Sequence, residues 1–302
     1  MSTNRNIISK RLLGVRIDYI RIYQAVEIIE KWLRSRGRHY VVTPNPEMLV
    51  DANLDKSFMA ALNDADLSIP DSSRLGWGNH VQSTGNPLMR LVYTIFFLFP
   101  HSLPRFSYPT STGVDLMNAL LRLSEEKAYT TAYLGGSIKV ADKLSECLRL
   151  EYPKLKIAFC SGNVKVDNNG TIQFDLFSNK NNMSKDIKRN PGPISNKSET
   201  ASSSFKEIDA HKLSQNIDIL FVAFGHPKQE KWMKANLSKL NTRIMIGVGG
   251  SFDYLSGSVP RAPLVMRNLG LEWLFRLVIQ PWRIKRFWKL IYYIYKVGVS
   301  KS

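Results

Sequence analysis

The sequence predicts an α/β fold: a Rossmann-like, mostly parallel sheet with helices on both faces, followed by a basic, aromatic-rich helical C-terminal appendage. Three observations carry this reading. Short β-branched runs alternate with helical patterns of about ten residues or more, as parallel strands joined by crossovers require. Small or polar residues stand at five of the predicted strand ends. The chain has 302 residues and is 44% hydrophobic, enough for one large α/β unit or two smaller ones with a real core.

The elements follow in order. Leu12–Ile20 reads as a strand pair or strand-turn, and Ile22–Arg34 as an amphipathic helix with Ala25, Ile28, Ile29 and Trp32 inward. Tyr40–Thr43 is a short strand ended by Pro44-Asn45-Pro46. One helix is expected over Glu47–Asn63, then a buried strand at Asp66–Ile69 stopped by Pro70-Asp71. Val114–Glu126 is helical, Tyr129–Leu134 a strand, and Gly135-Gly136-Ser137 turns into a helix that runs to Glu151. Lys156–Cys160, Ile217–Phe224 and Arg243–Val248 are further strands, with a helix from Lys228 between the last two. Residues 163–204, rich in Asn, Lys and Ser, cannot bury enough apolar surface to offset their ordering entropy and read as a mobile insertion loop. Two units are expected: a catalytic α/β domain over 1–265 and the appendage over 266–302.

The formal net charge of +17 implies an anionic partner: nucleic acid, anionic lipid or a phosphorylated substrate. From Arg261 onward the only acid is Glu272, and the same stretch is dense in Trp, Phe and Tyr. Basic and aromatic residues together point to a membrane surface sooner than to nucleic acid, for which no motif is present. No run reaches the roughly 18 to 20 apolar residues that span a bilayer. The longest, Leu91–Phe99, is a buried helix or an interfacial wedge, with burial favoured. The two cysteines, Cys147 and Cys160, fit no metal spacing and no disulfide framework, and the N-terminal residues hold no apolar signal segment. A cytoplasmic setting is therefore expected, peripheral on the inner face of the cell membrane.

In open α/β sheets, ligands bind beyond the carboxyl ends of the strands. Gly135, Gly136, Gly225, Gly249 and Gly250 stand at such ends, where a backbone can approach a phosphate. Any one pair is explained by a structural turn; several in one sheet suggest a nucleotide-sized ligand. Neither GxGxxG nor a P-loop motif is present. Asp71, beyond a strand and a proline, is either a general base or the cap of the next turn. Asp64 and Asp66 form the Asp-X-Asp pair that elsewhere holds a divalent metal, but they read here as a helix end and a strand start. His226 in its Gly-Pro turn reads as structural or phosphate-neighbouring. Arg276, Arg283 and Arg286, the last two on one predicted helix face, either clamp a pyrophosphate or meet lipid headgroups.

With these residues located, the chain resembles the WecG/TagA/CpsF family of glycosyltransferases. The resemblance runs through Leu13–Asp18, Thr43-Pro44-Asn45-Pro46-Glu47, Ala61–Asp71, Gly113-Val114-Asp115-Leu116 and Tyr133–Gly136. It continues in Gly225–Glu230, Gly247–Asp253, Arg261-Ala262-Pro263 and Glu272–Arg276. It implies an inverting transferase that uses no metal and no cofactor. The donor would be a UDP-sugar, often of N-acetylmannosamine or its uronic acid, and the acceptor a sugar on undecaprenyl diphosphate. Asp71 would be the base, Thr43 and Asn45 active-site residues, and Gln229 part of the substrate site, while Arg276, Arg283 and Arg286 would bind diphosphate at the membrane. The sequence departs from the family at Asp71-Ser72-Ser73, where P-D-G is usual, and at Thr110, where an arginine is common, with Arg105 a candidate substitute. The stretch Gly76–Tyr108 is also longer and more apolar. A degenerate, membrane-bound nucleotide-sugar-binding or scaffold protein is the alternative. Self-association into a homo-oligomer stays open, since it can mask an appendage that completes a site.

Overall fold

The protein is described here by a computed structural model covering residues 7–35, 37–97, 108–167, 172–173, 213 and 215–299. It begins with an antiparallel hairpin, β1 (Ile8–Leu12) and β2 (Val15–Tyr19). Leu13 and Gly14 turn it with φ of 49° and 83°, the two positive values that a tight primed turn needs. The expected strand pair over Leu12–Ile20 is therefore the turn and second arm of a hairpin that starts earlier.

The core strands are β3 (His39–Val42), β4 (Leu67–Ser68), β5 (Thr130–Gly135) and β6 (Lys156–Ser161). A two-residue antiparallel pair, β7 (Lys165–Val166) and β8 (Ile172–Gln173), precedes β9 (Ile217–Ala223) and β10 (Thr242–Gly247). Six of these form one sheet, ordered β4-β3-β10-β9-β5-β6 and parallel at every pairing. The predicted α/β architecture is present. Alternation along the central strands divides the interior in two. Ile219, Phe221, Ile244 and Ile246 face one apolar cluster, and Leu220, Val222 and Met245 face the other.

The first cluster packs under α1 (Ile22–Arg34), α6 (Gly113–Lys127) and α7 (Ile138–Glu151). The second packs under α2 (Pro46–Leu54), α3 (Lys56–Asn63), α4 (Ser73–Ser83) and α8 (Lys228–Asn236), with α5 (Pro87–Ile95) alongside. Past the sheet come α9 (Ser251–Leu255), α10 (Leu264–Asn268), α11 (Glu272–Ile279), a 3-10 turn (Pro281–Arg283) and α12 (Ile284–Val299). Leu290, Tyr293 and Val297 lie on one face of α12 and are buried in the second cluster. The Tyr293 hydroxyl donates to the Arg74 carbonyl at 3.0 Å, and its ring sits so close to Gly78 that any Cβ there would collide with it.

Four expectations are corrected. The helix expected over 47–63 is two helices, because Asp55 leaves the helical conformation and caps the second with its carboxylate, accepting from Ser57 N and Phe58 N. The strand at 66–69 is regular only at Leu67–Ser68: Asp66 N and Ile69 N still donate to Tyr40 O and Val42 O, but the Tyr40 N–H goes to the Asp66 carboxylate in place of a strand carbonyl. The apolar run from Leu91 is not simply buried: Tyr93 and Phe97 are, whereas Leu91 and Val92 are exposed on the outer face of α5. Arg283 and Arg286 do not share one helix, because Arg283 closes the 3-10 turn opened by Pro281. The polar insertion falls outside the described residues, as does Arg105, except for residues 163–167 and 172–173, which hold β7 and β8. Among the described residues, no helix is long and apolar enough to cross a membrane.

Tyr293→Ala should cost about 3–5 kcal/mol by urea unfolding, as removal of a buried aromatic does. A loss under about 1 kcal/mol would show that this face does not hold α12.

Candidate active site

The loops at the carboxyl ends of β3, β4, β9 and β10 open into one cavity of about 760 Å³, roofed by α10, α11 and the start of α12. Asp71 enters from the edge of the sheet. Its backbone N–H donates to Pro44 O at 3.0 Å, and Ser111 N donates to Pro70 O at 3.1 Å, so the loop is held on both sides. The Asp71 Oδ1 accepts from Gly113 N, the first residue of α6, at 2.7 Å. Burial raises the carboxyl pKa to about 6, against the lowering influence of the Gly113 N–H and the Arg276 charge. Glu272 and Asp115 push it up as well. A Cβ on Gly113 would fit tightly, 3.1 Å from Ser251 Oγ and 3.4 Å from Val248 O. The capping alternative for Asp71 is taken by its neighbour, since Ser72 caps α4.

Thr43 and Asn45 line the same cavity. Thr43 Oγ1 donates to Gly247 O at 2.9 Å, tying the end of β3 to that of β10. Asn45 caps α2 by accepting from Met48 N. Gln229 is buried beside Gly247, where its Nε2 donates to Glu230 Oε1 at 2.6 Å. Its Oε1 is buried without a hydrogen-bond partner among the described residues, and the residue lines the cavity. Burial raises the pKa of Glu230.

Gly225, Gly249 and Gly250 also line the cavity, whereas Gly135 and Gly136 do not. A Cβ on Gly135 would lie 2.5 Å from Ala223 O, so close packing of β5 against β9 accounts for that glycine. Arg276 and Arg286 reach the cavity wall. Arg276 stacks over Tyr254 at 4.5 Å and stands 3.7 Å from Glu272, and Arg286 is 3.7 Å from Glu47. The Arg283 side chain lies outside the described residues. Asp64 and Asp66 sit at the opposite end of the sheet, against Lys234 and His39 respectively.

Sequence reasoning did not single out several cavity residues. Asp115 accepts two hydrogen bonds from Arg261, at 2.7 and 2.9 Å, and one from Thr112. Burial raises the Asp115 pKa, but Arg261 and Thr112 outweigh it and hold the carboxyl below its ordinary range. The two partners are 146 residues apart, so spacing gives no sign of the pair. Arg74 and Arg267 also line the cavity, and neither carries a local sequence signal. His226 is 3.2 Å from Asp51, which also accepts from Lys289 of α12. That network ties the β9 loop to the C-terminal helix.

A doubly covered parallel sheet with a carboxylate and several arginines around one strand-end cavity suits group transfer from a phosphorylated donor. The family described as "Glycosyl transferase WecG/TagA/CpsF family" matches residues 10–107 and 185–302. The chain belongs to this family and is a glycosyltransferase. It is similar to the N-acetylglucosaminyldiphosphoundecaprenol N-acetyl-beta-D-mannosaminyltransferase of Staphylococcus aureus strain MRSA252. The two are 23% identical over 292 residues, 96% of this chain and 92% of the relative. The enzymes of that name from strains NCTC 8325 and COL are 24% identical over the same shares.

Gly113→Ala should leave the protein folded but displace the start of α6 from Asp71. Turnover should fall about tenfold, and the acid limb of the rate profile should move to higher pH, because the N–H that lowers the Asp71 pKa is drawn away. An unchanged profile would remove Gly113 from the site.

Proposed function

We propose that this glycosyltransferase moves N-acetylmannosamine, its uronic acid or a related hexose from a UDP-sugar to N-acetylglucosamine carried on undecaprenyl diphosphate. The transfer inverts the anomeric centre and uses no metal. The names of the relatives support the sugar and the acceptor. The observation that carries the mechanism is Asp71, a carboxylate of raised pKa inside a cavity otherwise rich in arginine. At pH 7.5 such a group is mostly ionised yet basic enough to take a proton. With Oδ1 held by Gly113, Oδ2 accepts the proton of the acceptor hydroxyl as that oxygen attacks the anomeric carbon. The bond to UDP breaks on the opposite face, and its electron pair leaves on the β-phosphate oxygen. Arg267, Arg276, Arg286 and the backbone at Gly249-Gly250 are placed to meet the developing charge, the part a metal plays elsewhere. Thr43 and Asn45 position the sugar, with Gln229 Oε1 a hydrogen-bond acceptor within the same wall.

Residues 1–265 form the catalytic unit in this reading, and 266–302 both complete the cavity and rest on the cytoplasmic face of the membrane. Support for the second role comes from Trp282 and Trp288, 70% and 69% exposed, near Val278, Ile284 and Tyr295, which are also exposed. Such a surface suits peripheral binding to anionic lipid.

UDP release is the direct assay. It should continue in EDTA, and Asp71→Asn should lower it by about 10²–10⁴-fold. The parent rate should rise with pH through about 6, where the Asp71 carboxyl ionises. A requirement for Mn²⁺, or an Asp71→Asn enzyme of parental rate, refutes this mechanism. Trp282→Ser with Trp288→Ser should reduce co-sedimentation with anionic vesicles about tenfold while leaving the melting temperature unchanged; undiminished sedimentation would move the membrane contact elsewhere.

A further inference from the structure

Arg74 is only 6% exposed, yet it lines the cavity. It comes from the first turn of α4, three residues after Asp71. Its guanidinium lies over the rings of Phe97 and Trp273, at 5.2 and 5.5 Å, and Nη2 donates to Gly270 O at 2.8 Å. Its Nε is buried with no hydrogen-bond partner among the described residues. Burial lowers its pKa to about 10, and Tyr293 is the one other titratable group, among the described residues, that bears on it. Three further arginines of the cavity, Arg261, Arg276 and Arg286, stand against carboxylates. Among the described residues, Arg74 stands against none. A desolvated guanidinium packed against two rings, with donor capacity left over, is a planar fork suited to phosphate oxygens.

Its position indicates which phosphate. Phe97 follows α5, and Trp273 belongs to α11. These two helices turn Leu88, Leu91, Leu274 and Val278 outward, all exposed. A diphosphate joined to a lipid would have its charge at the boundary between such an apolar surface and the cavity. We propose that Arg74 binds the prenyl-linked diphosphate of the acceptor and makes the site specific for a lipid-borne substrate. This rests on the reading under Proposed function.

The test uses the full chain with Arg74→Met and Arg74→Lys. In steady-state assays with a short-prenyl diphosphate-linked N-acetylglucosamine, Arg74→Met should raise the acceptor KM about thirtyfold and change the UDP-sugar KM less than about threefold. Arg74→Lys, which keeps the charge without the planar fork, should fall between. Farnesyl diphosphate alone, titrated by calorimetry without donor, should lose affinity in the same order. An acceptor KM unchanged in either variant, or a rise confined to the UDP-sugar KM, overturns the assignment, and Arg74→Lys decides if Arg74→Met does not fold. Because the titration needs no turnover, the two readings fail separately. Binding of farnesyl diphosphate through Arg74 by a protein that transfers no sugar would leave the anion site standing and sink the proposed acceptor.

Discussion

The burial of one face of α12, centred on Tyr293, holds the two sides of the cavity together. The hydroxyl end of the ring occupies the space left by Gly78, and the hydroxyl satisfies the Arg74 carbonyl in the first turn of α4. One turn earlier, Lys289 reaches Asp51 on α2, which also receives His226 from the loop after β9. A helix from the far end of the chain is thereby fastened to the helix that follows Asn45, to the helix that follows Asp71 and to a strand-end loop. Buried aromatic contact supplies most of the holding energy, since half-exposed ion pairs such as Lys289–Asp51 add little by themselves. The charged network sets the orientation of the helix.

This arrangement places the Asp71 carboxylate among five arginines and four other carboxylates without pairing it directly with any of the arginines. Burial raises the Asp71 pKa, and the Gly113 N–H and Arg276 restrain the rise. A carboxylate paired directly with an arginine would be too weak a base, and one buried alone would remain protonated near neutral pH. Arg261, Arg276 and Arg286 are each matched with an acid, which keeps them from collapsing onto Asp71. Arg74 is kept away by its two aromatic rings and the Gly270 carbonyl.

The six strands of the parallel sheet were legible because each lies in a short apolar run bounded by turn residues, and their parallel order followed from the helices between them; β1, β7 and β8 were not. Asp71 was legible as a polar residue just past a strand and a proline. The break at Asp55 was not, because the apolar spacing on both sides fits one helix equally well, and only the side-chain cap divides it. The glycines at 135 and 136 look like phosphate-binding residues in sequence, yet contact between strands accounts for Gly135.

Sequence alone therefore determined what is local and periodic: the order of elements, the parallel sheet, the strand ends where ligands gather, and the basic, aromatic character of the last residues. The tertiary structure decided what depends on distance in space. It paired Asp115 with Arg261, set Arg74 against Phe97 and Trp273, and seated Tyr293 on Gly78. Contacts between residues so far apart along the chain leave no periodic trace in it, since they exist only after the sheet has brought their elements together.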